Sequence, residues 1–509
     1  MLNRESLAQS SELAADVVRF TRRSARRYKR SRTSWGDRFV DAYSWGLGIG
    51  VSLTMAASFV LALRTEIAGR ASTGSIIGEQ WLLLPEPVLW TSVTFAVLLV
   101  ISNLARKLGP MTVSGAESTW WLSLPVDRRP MVLPPFFRKV ALTAGGSAII
   151  YLPFSLVTAV DRTAVDHILA SLTFAGAGTV AVLLSAMQQL GWWSRRTAKI
   201  TTTAALLACA VLPALSWSLW PPALVAAAAV GLLALVARRA GRVRGEELVR
   251  GGAVAGHAGA SLFMMDANEV LRALGSGRQR VDGGRAARFY ARPTRGPLRA
   301  LIRADAVAFL RLNPPLAPSI LWLAACMAIL LVEGGLPEFA QLAVIVIAGC
   351  AAASGMGTVA RKTALVPELD ALLPLHPALV RTSRTLMPCL AMALWMTALS
   401  GLLVLLGAAD PLLMAVGALA GVGMGAGTLR AATRTPPDWT APPVETPFGP
   451  VPRAQLGSLL RGLDVTILAT IPLLVALYLG YVPWSVLLVQ AVFSAGIFLV
   501  VVLSRPKRT

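Results

Sequence analysis

The sequence predicts an all-α, polytopic membrane protein with about 12 transmembrane helices in two six-helix halves. Apolar residues make up 55% of the 509 residues, charged residues make up 15%, and the mean hydropathy is +0.62. A water-soluble chain needs about a quarter of its residues charged to cover its surface. Long apolar runs recur along the whole chain, and basic residues concentrate in alternate loops. These observations exclude a soluble enzyme, a disordered scaffold and a disulfide-rich secreted domain.

The predicted spans divide equally between a first half, residues 42–237, and a second half, residues 315–504. Each holds about 20 mostly apolar residues, the length that crosses the hydrocarbon core of a bilayer. The twelve spans are 42–63, 84–104, 140–160, 167–190, 200–217, 220–237, 315–332, 338–359, 386–407, 411–429, 464–481 and 484–504.

The basic residues predict the orientation of these spans. With a cytoplasmic start and an even number of spans, only Arg64, Arg70 and Arg162 of the 48 Lys and Arg residues fall in outer segments. Cationic loops remain on the cytoplasmic side, so we expect a multi-pass plasma-membrane protein with both termini cytoplasmic. The same rule accounts for the formal charge of +22, and we therefore expect no nucleic-acid partner.

Four segments are predicted to lie outside the bilayer on the cytoplasmic side. Residues 1–41 form a basic interfacial segment, residues 238–314 link the halves and contain an entry helix near 298–311, and residues 431–462 are rich in proline. Residues 505–509 form a tail. In the first segment, a cationic stripe is expected to lie on anionic lipid; its members are Arg22, Arg23, Arg26, Arg27 and Arg30.

The two halves share a short motif at the same place. After the second span the chain reads ESTWWLSLPVDRR from Glu117, and after the eighth it reads PELDALLPLHP from Pro367. Each string places acidic residues before a Leu-Pro step, and each is followed closely by a new span. Leu124-Pro125 corresponds to Leu373-Pro374. We interpret the chain as an internal repeat of two six-span units, an organisation that membrane transporters often have.

These features resemble the permease subunit of an ABC-2-type exporter, which has six spans behind an amphipathic basic entry helix and a short cytoplasmic helix between spans two and three. The string at 117–129 also resembles an uncharacterised family of actinobacterial membrane proteins that look like fused pairs of such permeases. The topological resemblance covers nearly the whole chain. The sequence resemblance covers only the two loops and the stretch 298–311.

The resemblance implies a docking role for the two loops. Each would act as a coupling helix on a separate nucleotide-binding ATPase subunit, so that ATP is bound by the partner and this chain carries no cofactor. The second loop lacks the tryptophan pair and the Arg-Arg step of the first. The implied docking residues are Glu117, Trp120, Trp121, Asp127, Arg128, Arg129, Glu368, Asp370 and His376.

The residues themselves predict no catalytic or metal site. The string from Gly357 to Thr363 is the nearest approach to a phosphate-binding loop, but it lacks the glycine before Lys362 and follows an apolar span. Asp161, Asp166 and His167 cluster near one span end and are interpreted as ordinary loop residues. Carboxylates are missing from the middle of the spans, which disfavours ion-coupled transport.

Two functions remain open. The first is the permease component of an ABC-type exporter that moves a hydrophobic or amphipathic compound. The alternative is a non-transporting membrane scaffold or envelope assembly factor. A membrane-embedded enzyme is disfavoured, since no catalytic cluster stands at a span boundary.

Overall fold

The computed structural model is predominantly helical, as the sequence predicts. The residues it describes are 4–32, 34–68, 76, 79–81, 84–124, 126–159, 161–192, 194–264, 266–275, 288, 291, 294–312, 317–333, 336–433, 442, 444–446, 449–451 and 463–504. Pro125, the tail 505–509 and most of the proline-rich loop 431–462 lie outside the described residues.

The chain divides into two compact units. Unit 1 comprises Met1–Gly69 and Trp90–His257, and unit 2 comprises Arg70–Leu89 and Ala258–Thr509. The helices in chain order are α1 Arg4–Arg32, α2 Trp35–Ala68, α3 Glu86–Leu108, α4 Gly115–Trp120, α5 Arg129–Thr158, α6 Ala164–Gln189, α7 Arg195–Val211, α8 Trp220–Arg239, α9 Gly245–Phe263, α10 Ala267–Gly275, α11 Pro297–Leu312, α12 Ala317–Leu330, α13 Glu338–Met356, α14 Thr358–Thr363, α15 Pro367–Ala371, α16 Pro377–Leu405, α17 Leu413–Ala432, α18 Leu463–Leu468, α19 Ile471–Leu479 and α20 Trp484–Leu503.

One small hairpin departs from an all-α fold within the described part of the chain. Strand β1, Val444–Thr446, pairs antiparallel with β2, Gly449–Val451. Both strands lie in the loop that was predicted to be an extended, proline-rich connector. Proline removes backbone donors and disfavours helix, so three-residue strands are the regular structure that this composition tolerates.

Nine helical segments among the described residues are long and apolar enough to cross a membrane. Three shorter apolar helices accompany them, and each of the twelve segments overlaps one predicted span. The nine are Glu86–Leu108, Arg129–Thr158, Ala164–Gln189, Arg196–Leu215, Trp220–Arg242, Glu338–Met356, Pro377–Leu405, Leu413–Ala432 and Trp484–Leu503, and the shorter three are Gly50–Ala62, Pro318–Leu330 and Asp464–Leu479.

Proline accounts for the main differences between predicted spans and observed helices. The third and ninth spans were predicted to start at 140 and 386, whereas their helices begin at Arg129 and Pro377. Each of these helices has a proline at its first or second position. There the missing N–H of proline breaks no helical hydrogen bond, and the fixed φ of proline favours the helix. The eleventh span is broken between α18 and α19, because Pro472 cannot donate a hydrogen bond to the preceding turn.

Helix α6 forms the core of unit 1. Within its apolar stretch 83% of the residues are buried, against 28% or less for the other long apolar segments of this unit. A helix that is apolar on all sides belongs in the middle of a bundle. Glycines allow its neighbours to approach: a Cβ on Gly178 would lie 2.5 Å from Ser147 Oγ on α5, and one on Gly176 would lie 2.7 Å from Val225 Cγ1 on α8.

Helix α17 takes the corresponding place in unit 2, with 67% of its apolar stretch buried. Its glycines lie on two faces. A Cβ on Gly421 would be 2.3 Å from the Met392 carbonyl oxygen, and one on Gly425 would be 2.4 Å from Cys389 Cα, both on α16. On another face, a Cβ on Gly423 would be 2.8 Å from Ala469 Cβ. Small residues allow this close packing.

The two units share part of their order of helix packing. In unit 1, α1 and α2 pack on α5, α5 packs on α6, and α6 packs on α7 and α8. In unit 2, α11 and α12 pack on α16, α16 packs on α17, and α17 packs on α18, α19 and α20.

Candidate partner-docking site

The predicted docking segment of unit 1 begins with a helix cap. Ser114 Oγ accepts the Glu117 N–H at 3.3 Å, and Glu117 Oε2 accepts the Ser114 N–H at 2.8 Å. This reciprocal pair is a capping box, which satisfies two backbone donors at the start of α4. The carboxylate of Glu117 therefore serves to hold the fold of the segment.

The two adjacent tryptophans have opposite environments. The side chain of Trp120 is 74% exposed. Trp121 packs against a small apolar cluster formed by Ala14 and Val18 of α1 and Met131 of α5. Trp121 thus connects the docking segment to the basic helix α1, while Trp120 points away from the packed part of unit 1.

The Asp127-Arg128-Arg129 step forms the start of α5. Asp127 Oδ1 accepts the Arg129 N–H at 3.0 Å, and Arg128 is the residue that precedes the helix. A Cβ on Gly241 would lie 3.0 Å from Asp127 Oδ1 and 3.2 Å from Arg129 Cγ. The step therefore packs closely against the turn that follows α8, which leaves little room for a side chain at position 241.

Unit 2 repeats this arrangement with a different side chain. His376 Nδ1 accepts the Ala378 N–H at 3.3 Å and caps α16. His376 and Asp127 each stand two residues after the proline of the Leu-Pro step, and each accepts a backbone N–H from two positions further on. Glu368 lies exposed in the first turn of α15.

Asp370 belongs to a buried ion-pair network. Its Oδ1 accepts a hydrogen bond from Arg384 Nη2 at 3.1 Å. Arg384 Nη1 also binds Asp305 on α11, and Ser383 Oγ donates to Asp305 Oδ2 at 2.6 Å. Arg384 and Asp305 are both largely buried. A single guanidinium thereby joins α15, in the predicted docking segment, to α11 and to α16.

The charged groups of this network depend on one another. Burial raises the pKa of the Asp305 carboxyl, and the negative charge of Asp370 raises it further, whereas Ser383 and Arg384 act in the opposite direction. Two carboxylates share one cation, so the local charge is negative. Removing one partner of a buried pair costs about 3–5 kcal/mol, because the other charge is left without compensation.

Asp305 and Arg384 were not among the sequence-predicted site residues. A signal for Asp305 exists, because it is the single carboxylate of α11, a helix with three arginines. Nothing in the sequence pairs it with Arg384, which lies 79 positions later.

Each docking segment exposes large apolar side chains. Trp120 lies four residues before Leu124 of the first Leu-Pro step, and Leu369 lies four residues before Leu373 of the second. Both side chains are more than half exposed. In unit 2, Leu372 extends the exposed apolar surface by one helical turn. Contiguous exposed apolar surface outside the spans is typical of a site that binds another protein.

The predicted cationic stripe lies along the second half of α1. Spacings of three and four residues place its members on neighbouring positions of one helix surface, and each described side chain is exposed: Arg22, Arg23, Arg26, Arg27 and Arg30. The first half of α1 buries Ala14 and Val18 against α5. One end of the helix is therefore packed and the other presents charge.

The weak phosphate-loop motif is helical in the structure. Gly357 precedes α14, and Arg361 is 9% exposed. Asp166, considered as part of a metal cluster, instead forms a capping box with Thr163 at the start of α6. Within the described ranges, no group of three His, Cys, Asp or Glu side chains is placed to hold a metal ion.

Comparison with known families gives one match. Residues 85–442 match the model of DUF6297, a family of unknown function, and the chain belongs to this family. No curated protein and no solved structure matches the chain.

Proposed function

We propose that this member of the DUF6297 family is the membrane-spanning permease component of an ABC-type exporter, which moves a hydrophobic or amphipathic compound with energy from a separate ATPase subunit. The observation that carries the proposal is the matched pair of docking segments. Each has an exposed apolar residue four positions before its Leu-Pro step, and each is joined to the basic helix that precedes its own set of spans.

The docking segment is joined to the basic helix by apolar contacts in unit 1 and by ion pairs in unit 2, but corresponding elements are joined in both units. In unit 1, Trp121 joins the segment to α1 through apolar contacts with Ala14 and Val18. In unit 2, Arg384 joins Asp370 to Asp305 on α11. A partner that moves either segment would therefore move a basic helix together with the long helix behind it. This is the mechanical coupling that an exporter driven by a separate ATPase needs.

The shared order of helix packing supports two six-span halves, with α2 and α12 as the first span of each. Among the residues that the structure describes, nine helices have the full length, and we assign the three shorter apolar helices to the remaining spans. With the 45 basic residues of the predicted inner segments facing the cytoplasm, the plasma membrane holds the chain with both termini inside. Both docking segments then face the compartment that contains ATP.

The structure refines the choice of variants for a binding test. Glu117 belongs to a capping box and Asp127 accepts the Arg129 N–H, so their substitution would disturb the loop as well as the surface. Trp120 and Leu369 are exposed and are cleaner probes. Trp484 is a matched control. It is 68% exposed and is the first residue of α20, at the end of the helix that is predicted to face outward.

The test is affinity purification of the tagged full chain from native membranes, followed by identification of bound proteins. We expect a nucleotide-binding subunit with the wild type and with Trp484→Ala, and at least a tenfold loss of it with Trp120→Ala combined with Leu369→Ala, because truncating buried interface anchors costs 2 kcal/mol or more. Equal recovery from all three proteins would remove these residues from the interface. A purified complex without any ATPase would favour the scaffold alternative.

A further inference from the structure

Two arginines of unit 2 lie together with too little negative charge to neutralise them. Arg361 of α14 is 9% exposed. Arg272 of α10 donates a hydrogen bond from Nη2 to the Arg361 carbonyl oxygen at 3.3 Å, which brings the second cation against the same backbone. Buried cations in proteins are paired or bound to an anion.

Among the described residues, the acidic partner of this pair is a single carboxylate. Arg272 Nη1 binds Glu269, one turn earlier on α10. Arg361 has no carboxylate within ion-pair distance in the described part of the chain, and its one side-chain hydrogen bond to a neighbouring residue joins Nη2 to Thr358 Oγ1 at 3.3 Å. The two positive charges therefore face one negative charge.

The end of α17 compensates only part of this excess. A Cβ on Gly357 would lie 3.2 Å from Arg361 Nη1 and 3.2 Å from the Thr428 carbonyl oxygen, so the guanidinium lies near the last turn of that helix. A helix C-terminus carries about half a negative charge. About half a positive charge then remains on a site that water reaches poorly.

Unused hydrogen-bond donors accompany the unbalanced charge. Arg272 Nε is buried and has no partner among the described residues. Arg361 uses one of the five N–H groups that a guanidinium carries. Burial and the charge of Arg272 lower the pKa of Arg361 to about 10, so it stays protonated at neutral pH. Arginine donors fit the oxygens of a phosphate group, which they bind in pairs.

We propose that Arg272 and Arg361 bind one phosphate group, carried by the headgroup of an anionic lipid. The depth of the site favours a lipid over a soluble phosphate. Helix α13, an apolar segment long enough to cross the membrane, ends at Met356. Arg361 follows five residues later, about 7.5 Å along a helix, which is the thickness of the headgroup layer outside a hydrocarbon core of about 30 Å.

The test uses the purified full chain in detergent, with phosphatidylglycerol or phosphatidylcholine added. Retained lipid is counted by native mass spectrometry, and the unfolding temperature is measured in parallel. We compare the wild type with Arg361→Gln, Arg272→Gln and the control Lys362→Gln, which removes the same charge from an exposed neighbour. A further arm replaces the lipid with millimolar inorganic phosphate.

We expect the wild type and Lys362→Gln to retain phosphatidylglycerol, and each arginine variant to bind it about tenfold more weakly, as loss of a charge-assisted hydrogen bond implies. Stabilisation by inorganic phosphate that depends on Arg361 would assign the same site to a soluble anion. Equal retention of phosphatidylglycerol by all four proteins would contradict the proposed lipid site. If Arg361→Gln fails to fold, Arg272→Gln, on a partly exposed side chain, decides the question.

Discussion

Asp370 accepts a hydrogen bond from Arg384, with 3.1 Å between Oδ1 and Nη2, and this contact joins the short helix α15 to the long helix α16. The same guanidinium binds Asp305 on α11. Asp370 is half-buried, whereas Asp305 is buried, so the two carboxylates contribute unequally. Asp370 is in contact with water, whereas Asp305 holds Arg384 from the buried side.

Loss of Arg384 is expected to destabilise unit 2. Arg384→Gln leaves Asp305 buried without a cation, which costs about 3–5 kcal/mol, whereas Asp370→Asn removes a half-exposed partner and should cost about 1 kcal/mol. Unfolding of the purified protein by heat or denaturant measures both. The double variant Arg384→Gln with Asp305→Asn should recover much of the loss. A double variant as unstable as Arg384→Gln alone would show that the charge of Asp305 is not the cause.

Stability should depend on pH through Asp305. Its pKa in the folded protein is raised above the ordinary value of 3.8, so the folded state holds this proton more tightly than the unfolded state. The resulting stabilisation is complete below pH 3.8 and is lost as the pH rises through the folded pKa. The unfolding temperature of the wild type minus that of Asp305→Asn should therefore decrease across this window. A constant difference would contradict the raised pKa.

Glycines on α17 should resist even the smallest substitution. A Cβ on Gly421 meets the Met392 carbonyl oxygen at 2.3 Å, and one on Gly425 meets Cys389 Cα at 2.4 Å. Because both obstacles are backbone atoms, Gly421→Ala and Gly425→Ala should each cost about 1–3 kcal/mol. Gly231→Ala on α8 is the control, since a Cβ there meets no atom within 4 Å. It should be neutral or stabilise by up to about 1 kcal/mol, as thermal unfolding in detergent will show.

Both ends of the chain should lie in the cytoplasm. A fluorescent reporter that folds only inside the cell should fluoresce when it is fused behind Thr509. The same reporter inserted at Arg162, in the predicted outer segment between α5 and α6, should not fluoresce. A phosphatase that is active only outside should give the reverse pattern. An active phosphatase behind Thr509 would mean either an odd number of crossings or an inverted orientation, and it would contradict the proposed topology.

Hydropathy located the helices well because it is a local property. Each predicted span overlaps an apolar helix, and the clustered glycines of span ten lie at real helix contacts. Helix ends were less accurate where proline starts or interrupts a helix, as at Pro377 and Pro472. The sequence marks these prolines, but whether one begins, kinks or breaks a helix depends on what packs around it.

The docking residues illustrate the limit of motif reading. The string at 117–129 marked Trp120 and Trp121 alike, yet one is exposed and the other packs against α1. Glu117 and His376 cap helices, and Asp127 accepts a backbone N–H at the start of α5. A motif identifies a segment of the chain, but the role of each side chain follows only from the residues that surround it in the structure.

The apolar runs of the amino-acid sequence are sufficient to show that this protein is built of apolar helices and where those helices lie, because the transfer of apolar side chains out of water depends on neighbouring residues. Tertiary structure alone decided that α6 and α17 occupy the centres of their units, that Arg384 holds Asp305 and Asp370, and that Arg272 approaches Arg361. Ion pairs and close helix contacts join residues tens of positions apart, and their energies depend on burial, which arises only when the helices pack together.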